Sequence, residues 1–250
     1  MRFFWWQTID SLRPDREAHH RCQGGTLVEE EETTVEHSPT HWMNAGLSSI
    51  TPITSVNQLV NRAELQNNPI VKEATEILSR FFGKDFVEGS PVRCNVVCYG
   101  LGPFLTSPKA KYQLGLLLLL IEHLKIEGQK HYFDPIFDEN EKKVLNELGW
   151  TDITENEQGK RKVEGRTFFY MPHCGRPLYN NLLYTNWEPL QLKEMIILGN
   201  GFTNYNESAL GEKKKKETYY MTQILPFTTE VSLKSDIKDL NAFNDTSESS

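Results

Sequence analysis

The sequence has no apolar run long enough to cross a bilayer. The longest, Leu114 to Ile121, is bounded by Gln113 and Glu122 and falls far short of the roughly 18 residues that a span needs. A soluble protein is the expectation. A secretory leader is missing too, because Met1 to Trp6 is aromatic and short and leads into Gln7 and Asp10 instead of an apolar segment with a small-residue cleavage site. The expected address is therefore the cytoplasm, the nucleus being a second compartment. Cysteine is scarce: Cys22, Cys94, Cys98 and Cys174 include no C-x-x-C pair, which argues for reduced thiols and against a disulfide framework or a zinc site. Positive charge is in deficit as well. The 27 Lys+Arg stand against 34 Asp+Glu, a net charge of -7, and that sign repels a phosphate backbone and an anionic bilayer, so neither nucleic acid nor membrane is an expected partner.

What is present divides the chain. Residues 1–55 carry the acidic run Glu29 to Glu32, scattered Ser and Thr, and no sustained apolar period, a composition that predicts a disordered leader. His37 and His41 have helical spacing, but Pro39 lies between them in polar surroundings, so they read as two solvated histidines. On this reading, removing residues 1 to 50 leaves thermal unfolding nearly unchanged. Residues 56–90 form a helical segment, with Asn68 as N-cap, Pro69 at the first helical position, an apolar stripe from Ile70 to Phe82 and Gly83 as the stop.

Residues 91–245 alternate short apolar runs with helical stretches, which predicts an α/β fold, a Rossmann-like parallel sheet with flanking helices. Strands are expected over Val92 to Tyr99, His131 to Phe133, Thr151 to Thr154, Thr167 to Met171 and Met195 to Leu198. Helices are expected from Lys109 to Glu127, from Glu139 to Leu148 and from near Pro177. Glu155 to Gly165 reads as a polar hairpin whose Lys160, Arg161 and Lys162 are solvated, and Tyr219 to Leu225 and Ser232 to Phe243 read as helical. The tail, 246–250, should fray.

Residues that follow parallel strands lie along one sheet edge, where open α/β sheets bind ligands. The loops expected there carry Gly100 and Gly102, then Asp134, then His173 and Cys174, then Asn200; these six are the candidate ligand-binding residues. Gly100 and Gly102 satisfy two positions of G-x-G-x-x-G, while Leu105 stands at the third and Pro103 lacks an amide donor. Asp134 has two readings, a ribose acceptor or the first residue of an Asp-Pro turn. Cys98 and His173 are the pair that could serve nucleophilic catalysis, against the reading of buried cysteines as small hydrophobes. Tyr184 and Trp187 read as core.

The blocks Cys98-Tyr-Gly-Leu-Gly-Pro-Phe104, Phe133-Asp-Pro-Ile-Phe137, Asn156-Glu-Gln-Gly-Lys-Arg161, Met171-Pro-His-Cys-Gly175, Asn186-Trp187 and Leu198-Gly-Asn-Gly-Phe202 resemble the family named for reduced sensitivity to red light. The resemblance runs from about Cys94 to Tyr205, with a further block at Phe243 to Ser247. Gly201 stands where the family commonly has Ser. The resemblance implies a regulatory protein acting in circadian clock gene expression and in control of heme biosynthesis, through regulatory protein partners it does not name. No established reaction and no cofactor come with it. Cys174, His173 and Cys98 are the candidate axial ligands for heme, and regulation without stoichiometric heme binding is the expectation. The competing reading is a nucleotide-cofactor-binding enzyme, with an S-adenosylmethionine-dependent transferase first among these. Either way the sheet edge is expected to take a small anionic or nucleotide-like ligand.

Overall fold

The computed structural model describes residues 1–6, 62–83, 86–203 and 217–234. Its strands are β1 (Arg2–Trp6), β2 (Val92–Arg93), β3 (Asn95–Tyr99), β4 (Ile126–Glu127), β5 (Lys130–Phe133), β6 (Thr151–Asp152), β7 (Thr167–Met171), β8 (Met195–Gly199) and β9 (Thr228–Ser232). The helices are α1 (Arg62–Gln66), α2 (Pro69–Phe82), α3 (Pro108–His123), α4 (Glu139–Glu147), α5 (Arg176–Thr185), α6 (Pro189–Lys193) and α7 (Tyr219–Ile224). Seven strands form one sheet in the order β6-β5-β3-β7-β8-β1-β9, while β2 and β4 pair separately. From β6 to β8 every neighbouring pair is parallel, so the fold is the expected α/β architecture.

The crossovers explain the order. Parallel neighbours cannot be joined by a tight turn, and α3 carries the chain from β3 to β5 as α4 carries it from β5 to β6. The chain then returns to the other side of β3 to lay down β7 and β8. Connections therefore leave β3 and β7 in opposite directions, and the switch point lies where these two strands end. Both faces of the sheet are covered, which is why β7, Thr-Phe-Phe-Tyr-Met, is buried at all five positions. Phe168 and Tyr170 join the core shared with α2 and α3, and Phe169 and Met171 join the one shared with α5 and α7. Tyr184 and Trp187 pack against Tyr220 in that second layer.

Local signals placed most boundaries. Asn68 accepts from the Ile70 amide at 3.0 Å ahead of Pro69, and Asp138 with Glu141 closes a capping box on α4. Several boundaries moved: the strand expected over Val92 to Tyr99 breaks at Cys94 into β2 and β3, which belong to different sheets, and the one expected over Thr151 to Thr154 ends at Asp152. The helix expected to reach Glu127 stops at His123, because Lys125 turns left-handed (φ 47°) and sends Ile126–Glu127 into the ladder with Val92–Arg93. Ser232, expected to open a helix, ends β9 instead.

The larger correction concerns the first residues. Within the stretch expected to be a disordered leader, Arg2–Trp6 is an internal strand, antiparallel to both β8 and β9. A strand inside a doubly covered sheet must be apolar on both faces. Phe3 enters one core and Phe4 the other, so the run has no alternation to read. The rest of the leader, with its acidic run and His37 and His41, lies outside the described residues, as do 235–250. Among the described residues no helix is long and apolar enough to cross a membrane.

Candidate functional site

The loops after β3, β5 and β7 meet at the switch point around a cleft of about 740 Å³, within the ordinary range for small-molecule sites. Gly100 and Gly102 both take positive φ, 59° and 85°. Gly100 ties the three loops together: its N–H donates to Phe133 O at 3.3 Å and its carbonyl accepts from the His173 N–H at 3.0 Å. A Cβ there would stand 3.0 Å from Cys174 Sγ, so the close approach of the β7 loop requires glycine as much as the dihedral does.

Asp134 lines the cleft at the end of β5 and is buried. Its Oδ2 accepts from Gly102 N–H at 2.8 Å and its Oδ1 from Ile136 N–H at 3.1 Å. The carboxylate thus holds its own Asp-Pro turn, as one reading of the sequence expects, and also the glycine loop, which neither reading includes. His173 is exposed beside the cleft. Partial desolvation of its ring and the Lys109 charge hold the imidazole below its usual pKa, while Asp134 pulls the other way.

The remaining candidates stand further from the ligand space. Cys174 is buried at the cleft wall, its thiol donating to Tyr99 O at 3.4 Å. Burial pushes its pKa far above the usual thiol value, and does the same to Cys98. The Cys94 thiol is pushed up to about 12 by the same cause. Thiolates, the reactive form, are suppressed at all three positions. Iodoacetamide at pH 8 should therefore leave Cys94, Cys98 and Cys174 unmodified in the native protein and label them after denaturation; peptide mass mapping reads the difference, and labelling of native Cys174 would contradict the burial argument. Asn200 is buried behind the site and is not among the residues lining the cleft. Its N–H donates to Tyr179 Oη at 2.9 Å and its Nδ2 to Cys174 O at 3.4 Å, so it braces the β7 loop from the β8 side. Among the described residues no group of three or more His, Cys, Asp or Glu side chains is arranged to hold a metal ion.

One wall of the cleft was not foreseen. Asn156, Gln158 and Asn181 line it, the first two from the stretch expected to be a solvated hairpin. That stretch is packed. Asn181 Nδ2 donates to Gln158 O at 2.9 Å, and Asn186, fully buried, accepts from Val163 N–H and donates to Arg161 O. The Tyr99 hydroxyl donates to Glu157 at 2.7 Å, and Glu157 accepts from Arg161 at 3.1 Å, which removes Arg161 from the solvated set; Lys160 and Lys162 are exposed as expected. The one sign of this in the sequence is Gly159, a glycine in an otherwise polar run.

Comparison with known proteins adds an independent line. A family model described as the SRR1 domain matches residues 72–248. The mouse SRR1-like protein is 42% identical over 137 residues, 54% of this chain and 54% of the relative. The fly SRR1-like protein is 31% identical over 152 residues, 61% of this chain and 53% of the relative. Protein SENSITIVITY TO RED LIGHT REDUCED 1 of Arabidopsis thaliana is 34% identical over 122 residues, 48% of this chain and 44% of that one. The chain spans about half the length of the curated relatives it matches. No solved structure matches it.

Proposed function

The chain belongs to the SRR1 domain family, and from that premise we propose that it is a regulatory protein whose switch-point cleft binds a small nucleotide-like molecule. The regulatory half of the reading is supported by the Arabidopsis relative, whose name describes reduced sensitivity to red light. Circadian clock gene expression and heme biosynthesis are the processes this reading assigns, with heme control exerted without stoichiometric heme. The binding half rests on one observation above all. Loops from the neighbouring parallel strands β5, β3 and β7 and the 156–158 segment converge on a cleft of about 740 Å³ at the switch point, the place where doubly wound sheets bind ligands. Burial keeps the nearby thiols protonated, which favours binding over thiolate chemistry there.

A thermal-unfolding screen of the full chain against adenine-containing cofactors, S-adenosylmethionine included, tests this. A ligand at about one hundred times its Kd stabilises by about 2.7 kcal/mol, so a rise in Tm of several degrees that grows with the logarithm of ligand concentration is expected for the wild type. A flat response across the panel overturns the cleft reading. If S-adenosylmethionine binds and is converted to S-adenosylhomocysteine, the protein is a transferase and the regulatory reading alone is displaced.

A further inference from the structure

The glycine loop has the shape of an anion cradle, yet the amides of both its glycines are already committed. In dinucleotide-binding folds a pyrophosphate takes the amides of this loop and of the following helix N-terminus. Here Gly100 N–H donates to Phe133 O, and Gly102 N–H donates to Asp134 Oδ2 at 2.8 Å. Pro103 and Pro108 carry no N–H. In the first turn of α3 the amides of Ala110 and Lys111 both bond Ser107. Leu105 N–H is held by Glu141 Oε1 at 3.0 Å. The buried Asp134 carboxylate therefore sits on the loop as the chain's own anion. A phosphate brought to Gly102 would have to displace it or lie against a like charge. Lys109 and Asp134 act on the His173 ring in opposite senses.

The opposite wall has another character. Asn156 Oδ1 accepts from Gln158 N–H at 2.9 Å, and Asn181 Nδ2 donates to Gln158 O. Among the described residues this leaves Asn156 Nδ2, Asn181 Oδ1 and the whole Gln158 carboxamide available toward the cleft. These are paired donors and acceptors, the complement of a nucleobase edge. Ile136, 59% exposed, lines the same cleft and offers an apolar surface for the flat face of a base.

We propose that the cleft takes a nucleoside without phosphate groups, its base read by the carboxamides of Asn156, Gln158 and Asn181, with Asp134 filling the place a phosphate would hold. This rests on the cleft being a binding site and narrows what binds. The test is isothermal titration of the full chain with adenosine, guanosine, cytidine and uridine, each beside its 5′-monophosphate, and with nicotinamide adenine dinucleotide. One nucleoside is expected to bind, with its monophosphate weaker by roughly tenfold or more. Asp134→Asn, which removes the charge and keeps the shape, should shrink that ratio toward one. Gln158→Met should weaken the nucleoside roughly tenfold with Tm unchanged. A monophosphate or dinucleotide that binds more tightly than every nucleoside overturns this inference and leaves the cleft a binding site. Silence from all of these probes, together with a flat thermal screen, overturns both.

Discussion

Removing residues 1–6 is expected to abolish cooperative unfolding of the domain, and Phe4→Ala alone should cost about 3–5 kcal/mol. That is a large part of the roughly 5–15 kcal/mol that holds an ordinary domain together. β1 fills the gap between β8 and β9, with Phe3 opposite Leu198 on one side and Val231 on the other. Both phenylalanines are fully buried, and Phe4 stacks on Phe202 with ring centroids 4.1 Å apart. Trp5 meets Phe81 of α2 edge-on at 3.8 Å, and Arg2 pairs with Glu230 of β9. Without the strand, β8 and β9 lose their ladder partners, and two apolar surfaces open to water. Urea unfolding followed by tryptophan fluorescence measures the cost for Phe4→Ala, and calorimetry shows whether the deletion keeps a single transition. An unchanged midpoint in both would return these residues to the status of a dispensable leader.

The second large effect is expected at Gly159. Its φ is +75°, and a Cβ would stand 2.6 Å from Leu178 O, a backbone atom of α5 that cannot swing aside. Gly159→Ala carries the left-handed penalty of about 1–2 kcal/mol, and the loop must also lift from the helix, for a total of about 2–4 kcal/mol. Asn156 and Gln158 would leave the cleft wall with it, and the Tyr99 hydroxyl would lose Glu157. Thermal stabilisation by a cleft ligand should therefore fall by more than the loss of Tm explains. Gly165→Ala is the control: its φ is +121° with nothing within 4 Å of the added carbon, so it carries the conformational cost alone and should bind ligand as the wild type does. Equal effects from the two substitutions would show that the contact with Leu178 contributes nothing.

Several features were legible because the forces behind them act over a few residues. A capping side chain meets an amide two or three positions on, as Asn68 does at Ile70. The helix expected to end at Leu148 ends there, Leu148 being its C-cap, and Gly149 directly after it takes φ +78°. The alternation of short strands with long helices is enough to imply crossovers, and crossovers imply a parallel sheet with its loops gathered at one edge. That reasoning puts Gly100, Gly102, Asp134, His173 and Cys174 at one sheet edge, and all five line the cleft there. It erred where a residue's role depends on what a distant segment brings to it. Of the two readings of Asp134, the Asp-Pro turn is present, its Oδ1 accepting from Ile136 N–H, while the oxygen assigned to a ribose accepts instead from the amide of Gly102. Asn200 was read as a ligand contact, and Tyr179 and Cys174 hold it behind the site.

The α/β class, most element boundaries and the family resemblance follow from the order of residues, because period, capping and turn chemistry are short-range properties of the chain. The place of Arg2–Trp6 inside the sheet, the packing of the 155–165 segment on α5 and the commitment of the Gly102 amide to Asp134 arise only in the folded molecule. In each of these, the partner lies many residues away, and a polar or aromatic side chain carries no local mark of which distant group will satisfy or bury it. Burial and pairing are settled by the topology that brings the two segments together.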